Sequence, residues 1–123
     1  MCGRRSEAAY VADMVAACER MLVFASGRPT QDILDECLPY RGAILHQLIV
    51  LGEAARYITI ERRQQWIDIP WQDIVGMRDK LVHYYHGIDD ALVLHALRAA
   101  VPRVLPQLRE MLVILDREER AGE

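Results

Sequence analysis

Apolar residues recur along this chain at spacings of three and four, the period of a helix that buries one face. Val11, Met14, Cys18, Met21, Leu22 and Ala25 make a first stripe. Ser6 is a weak cap before it, and Gly27 and Pro29 end it. Thr30 is placed to cap a short segment holding Ile33, Leu34 and Leu38. Pro39 and Gly42 bracket the start of a second long helix. Ile44, Leu48, Leu51, Ala55 and Ile58 line one of its faces, and Leu45, Ile49 and Val50 widen it. Gly52 lies inside this helix, where it costs about 1 kcal/mol relative to alanine; close approach of another helix is the expected compensation. Residues 61–69 form a polar connection with a helical turn around Trp66. Ile69-Pro70-Trp71 opens a third helix, with Ile74, Met77 and Leu81 buried and Val75 and Val82 beside them. Gly87 stops it. Asp89 or Asp90 caps a fourth, whose stripe runs from Val93 through Leu97, Val101, Val104 and Leu108 to Leu115. Pro102 and Pro106 fall within that register and should kink or break the helix. The charged segment 116–123 should fray.

Strand-like alternation is absent. The pattern predicts an all-α, up-and-down bundle of four main helices plus short helical segments. The chain should form one domain over 1–123, with its core at about 7–115. The wide apolar face of the second helix leaves surface to cover, which points to a homodimer. Half of the 123 residues are apolar, enough for one core. The net charge of -3 supplies no global basic field, so nucleic-acid binding would need a local cluster. Cys2, Cys18 and Cys37 have neither metal-site spacing nor a disulfide framework. No apolar run approaches the roughly 18 residues of a membrane span. The expectation is a soluble cytoplasmic protein with no membrane partner.

Chemistry concentrates in Met77-Arg78-Asp79-Lys80-Leu81-Val82-His83-Tyr84-Tyr85-His86-Gly87-Ile88-Asp89. The pattern Arg-x4-His-x-Tyr gathers a phosphate-gripping guanidinium, an imidazole that exchanges protons near neutral pH and a phenol. On an ideal helix each residue turns about 100°, so Arg78 and Tyr85 share a face while His83 lies about 140° from Arg78. A straight helix cannot aim both at one point. A helix end near 83–87 would help, as would two copies of the motif lining one cleft. Asp79 lies one turn before His83 and is placed to orient the ring. The same spacing also fits a surface helix with an Asp-His contact and aromatic packing. Asp79, His83, His86 and His95 make a poor metal set, unsupported by cysteine or Glu-x-x-His, so no metal and no cofactor are expected. Glu53 could bond an arginine near the site. Trp66 and Trp71 read as core or hinge residues. Arg62-Arg63 and Arg4-Arg5 read as solvated charges, or as the border of an RNA groove in a dimer.

Leu51-Gly52-Glu53-Ala54-Ala55, Ile69-Pro70-Trp71 and the segment from Ile74 to Asp89 together resemble, in order and spacing, the HepT-like branch of the HEPN family. The likeness runs from about Tyr10 to Leu108. It implies a dimeric helical bundle with two motifs in a shared cleft. It also implies a metal-independent endoribonuclease acting on tRNA or mRNA, not DNA, as the toxin of a type VII-like toxin–antitoxin pair. The implied partner is an MntA-like minimal nucleotidyltransferase, which silences the toxin by adenylylating a motif tyrosine. Carried onto this chain, Arg78 and His83 are catalytic, Asp79 and Tyr85 supporting, and Tyr85 the modified residue. His46 departs from the arginine often found there in relatives. The alternative is a non-catalytic HEPN subunit that docks the nucleotidyltransferase.

Overall fold

The computed structural model describes residues 5–122, which are helical wherever they are regular. In order they form α1 (Glu7–Ala25), α2 (Thr30–Leu34), α3 (Pro39–Ala55), α4 (Ile60–Gln65), α5 (Trp71–Tyr84), a 3-10 turn (Tyr85–Gly87), α6 (Asp90–His95), a π turn (Ala96–Ala100) and α7 (Val101–Ala121). The four long helices pack in the sequence α5, α3, α1, α7, with α1 and α3 inside. This is the expected all-α bundle. None of the described helices is long and apolar enough to cross a membrane.

Local signals explain most boundaries. Ser6 accepts a hydrogen bond from the Ala9 amide at 3.1 Å and so satisfies an orphan donor of α1. Gly27 adopts a positive φ of 70° just beyond that helix. Thr59 caps α4 through the Arg62 amide, and Asp89 caps α6 through the Ala91 amide. Val11, Met14, Cys18 and Met21 meet Ile44, Leu45, Leu48, Leu108, Met111 and Leu115 in one buried cluster. Trp71 is buried too, its indole donating to the Trp66 carbonyl at 3.1 Å.

Several expectations need correction. Pro29, not Thr30, precedes α2, and the Thr30 hydroxyl instead accepts from Arg98 at 2.8 Å. The connecting segment is helical over Ile60–Gln65 and turns at Trp66, as the expected turn there required. Val82 is exposed, because the stripe of α5 is narrower than its sequence suggests. The last long segment is interrupted at Ala96–Ala100, where the helix widens and the Val101 amide reaches back to the Ala96 carbonyl. This lies just upstream of Pro102, which lacks the amide to continue an α-helical ladder. Pro106 sits within α7 without ending it. The charged segment does not fray within the described residues: α7 continues to Ala121, and Glu118 pairs with Arg62 at 3.0 Å.

Cys18 supports an alkaline test of the core. Burial first, then Glu19, pushes its thiol from 9.0 up to about 12. The folded chain therefore holds this proton where the unfolded chain has lost it. The stability this confers is complete below pH 9.0 and is lost as pH climbs towards 12. Urea midpoints measured at about pH 8 and about pH 10.5 should fall by more in the parent than in Cys18→Ala, with a limiting slope of about 1.4 kcal/mol per pH unit.

Candidate active site at the α3–α5 crossing

The site begins with a missing side chain. A Cβ at Gly52 would lie 2.2 Å from the Arg78 Cβ, 2.9 Å from the Ile74 carbonyl oxygen and 3.0 Å from the Arg78 Cγ. Only glycine lets α3 and α5 approach this closely. The crossing puts Glu53 beside the arginine, and Arg78 Nη2 forms an ion pair with Glu53 Oε2 at 3.0 Å. The same carboxylate oxygen accepts from Arg56 Nη1 at 3.2 Å. The other end of the guanidinium, Nη1, donates to Asp79 Oδ1 at 3.0 Å. Nε is shut away from solvent and has no partner among the described residues. The hydrogen bond to Asp79, more than the charge of Glu53, raises the affinity of this guanidinium for its proton, and it stays a cation.

Tyr85 also faces α3. Its hydroxyl lies 3.7 Å from where a Cβ on Gly42 would stand, an ordinary contact distance from the first turns of α3. The shared face of Arg78 and Tyr85, seven residues apart, is thus realised. His83 is exposed and records no hydrogen bond among the described residues. Its ring meets Tyr84 edge-on at 6.4 Å, and Tyr85 meets His86 at 5.5 Å. The chain leaves helical geometry at Tyr84, where φ is -133° and ψ is 36°. That break falls one residue too late to fold His83 back towards Arg78. One chain therefore unites Arg78 and Asp79 with Glu53, seats Tyr85 further along α3 at Gly42, and leaves His83 on another face of α5. Asp79 spends its carboxylate on Arg78 rather than on His83.

Sequence reasoning missed Arg41. It is 7% exposed on the first turn of α3. It pairs with Asp90, the first residue of α6, and donates to the Ile88 carbonyl at 3.3 Å. A cation in a first helical turn opposes the helix dipole, which was the available signal that it had a partner elsewhere. The pairing ties the 3-10 turn and the start of α6 to α3. The expected RNA-bordering arginines have other duties. Arg62 pairs with Glu7 and Glu118, and Arg63 donates to the Ile58 and Ala55 carbonyls at the end of α3. Arg5 pairs with Asp13, and Arg4 lies outside the described residues. On the opposite side of α5, Met77 and Lys80 line an open groove of about 550 Å³ with Leu92, His95, Ala96 and Val104.

Residues 14–111 match the Ribonuclease HepT-like family, and the chain belongs to it. A protein of Caldanaerobacter subterraneus subsp. tengcongensis named as a candidate RNase is 28% identical over 103 residues, spanning 84% of this chain and 91% of its own. One from Thermococcus cleftensis, named as a candidate ribonuclease HepT, is 29% identical over 100 residues, spanning 80% and 89%. A third, from Methanocaldococcus jannaschii and again named as a candidate RNase, is 26% identical over 118 residues, spanning 95% and 98%. No solved structure matches the chain significantly.

The crossing gives a direct stability test. Alanine in an open helix position would gain about 1 kcal/mol over glycine. At Gly52 the added methyl meets main chain and a Cβ, neither of which can swing aside. Gly52→Ala should therefore lower stability, by roughly 1–3 kcal/mol as overpacked sites do. Thermal unfolding followed by circular dichroism reads the sign, and a gain would refute the close contact.

Proposed function

We propose that this chain is the toxin ribonuclease of a two-component toxin–antitoxin system, cutting RNA without a metal and working as a homodimer. The observation that carries the reading is the intact motif in a family-matched frame. Arg78 is fixed by a helix crossing that only glycine permits, and His83 is left open to solvent.

RNA brings its own nucleophile. Attack of the 2'-hydroxyl on the adjacent phosphorus forms the new P–O2' bond and breaks P–O5'. One imidazole takes the 2'-hydroxyl proton, and another delivers a proton to the departing 5'-oxygen. The products are a 2',3'-cyclic phosphate and a 5'-hydroxyl. Arg78 stabilises the added charge at phosphorus. Because a single chain holds Arg78 and His83 on different faces of α5, the reaction needs two copies, each lending its imidazole to the other's guanidinium. Exposed Val82 and Tyr84 within the motif suit such a pairing.

The silencing step belongs to a minimal nucleotidyltransferase. The Tyr85 phenol attacks the α-phosphate of ATP, AMP is transferred to its oxygen and pyrophosphate leaves. Tyr85 is 38% exposed, which leaves its phenol reachable from solvent. A bulky anion within the cleft then excludes RNA by sterics and by repulsion. Tyr84 is the more exposed phenol, at 68% against 38%, and is the competing acceptor.

The occupation of Arg78 by two carboxylates favours a second reading, in which the chain is a non-catalytic subunit that docks the nucleotidyltransferase. Purified protein incubated with RNA in EDTA separates the two. The nuclease reading expects fragments ending in 2',3'-cyclic phosphate, with His83→Ala reduced by at least about a hundredfold. Equal cleavage by both proteins removes His83 from the mechanism, and no cleavage with tight partner binding supports the docking subunit. Mass spectrometry after co-expression with the nucleotidyltransferase should show one AMP adduct that Tyr85→Phe abolishes. An adduct that survives would place the acceptor elsewhere, Tyr84 first.

A further inference from the structure

The contacts of Arg78 are unequal in a way that bears on how substrate enters. Its Nε edge is closed: that atom has no exposed surface and no protein partner among the described residues. A phosphate oxygen can approach only the two Nη nitrogens, and each already holds a carboxylate at 3.0 Å. With both carboxylates in place, Arg78 and Arg56 are balanced by Glu53 and Asp79, and an incoming phosphate meets a cluster with no spare positive charge.

The two carboxylates differ in how firmly they are held. Glu53 stands on α3, is bridged to Arg56 and sits beside the glycine crossing that fixes the two helices at contact distance. Asp79 is the next residue along α5, its side chain is 51% exposed, and Arg78 is its one recorded hydrogen-bond partner among the described residues. Water can take over an exposed carboxylate at little cost, since such ion pairs are worth only about 0.2–1 kcal/mol. Releasing Glu53 gives up two arginine contacts, to Arg78 and Arg56, where releasing Asp79 gives up one.

Building on the ribonuclease reading, we propose that the Asp79 carboxylate is a resting-state stand-in for the substrate phosphate on Arg78 Nη1. It is displaced to solvent when RNA enters, while Glu53 is the positioning residue that keeps the guanidinium in place. The phosphate forms the bonds that Asp79 gives up, so the seat is preformed and the empty site never presents a bare cation. The same exchange explains why Asp79 bonds Arg78 rather than His83 in the unliganded chain.

A double-mutant cycle tests this with a probe that cannot be cut. Binding of a 2'-O-methyl oligoribonucleotide is measured for the parent, Asp79→Asn, Arg78→Ala and the double variant at one low salt concentration. Asp79→Asn should tighten binding about three- to fivefold, the worth of one exposed ion pair, and should do nothing comparable once Arg78 is alanine. Glu53→Gln should weaken binding, because the guanidinium loses its anchor. With cleavable RNA, Asp79→Asn should lower KM. A fall in kcat at unchanged KM would instead assign Asp79 to His83 and overturn the proposal. Equal tightening in both arginine backgrounds would reduce the effect to general charge, and it too overturns the proposal, as does a parent that binds no oligonucleotide. Arg78-dependent tightening in a protein that cuts no RNA would retire the nuclease reading and leave the stand-in intact.

Discussion

The contact between Gly52 and Arg78 sets the rest of the molecule. A Cβ at that point would fall 2.2 Å from another Cβ, so α3 and α5 touch through backbone rather than through interlocking side chains. From this follow the reach of Glu53 to the guanidinium, the closure of Nε and the seating of Tyr85 against Gly42, ten residues earlier on the same helix. The helix-propensity cost of one glycine is about 1 kcal/mol. It is offset by a crossing that fixes two helices and one cation together.

Helical pitch then divides the chemistry. Five residues from Arg78 to His83 make a turn of about 140°, and α5 stays helical until Tyr84. The guanidinium therefore faces inward against α3 while the imidazole faces water. The packing that immobilises the arginine also holds it on a different face of α5 from the imidazole of its own chain.

The fold was legible because it rests on periodicity. The stripes of α1 and α3 are the residues that are buried, and Gly52 announced a close crossing as the only sensible use of glycine at that point. Less legible were features decided by partners distant in sequence. Arg41 reads as an ordinary surface charge until Asp90 and Ile88 are brought to it across nearly fifty residues of chain. Glu118 reads as part of a loose tail until Arg62 meets it. The widened turn at Ala96–Ala100 has no hydropathy signature; Pro102 marked trouble nearby but not its form. Asp79 could equally serve His83, one turn ahead, or Arg78, next door, and spacing does not rank the two. Val82 was misplaced because a β-branched apolar residue beside a stripe counts as buried only when a neighbour arrives to cover it.

Two arginines bind the ends of the α3–α5 pair through carbonyl oxygens: Arg63 at Ile58 and Ala55, Arg41 at Ile88. A main-chain acceptor is indifferent to the side chain it carries. The bends at both ends of the hairpin can therefore drift in composition while keeping their path. Side chains at those bends can therefore change without disturbing the spacing of the helices beneath.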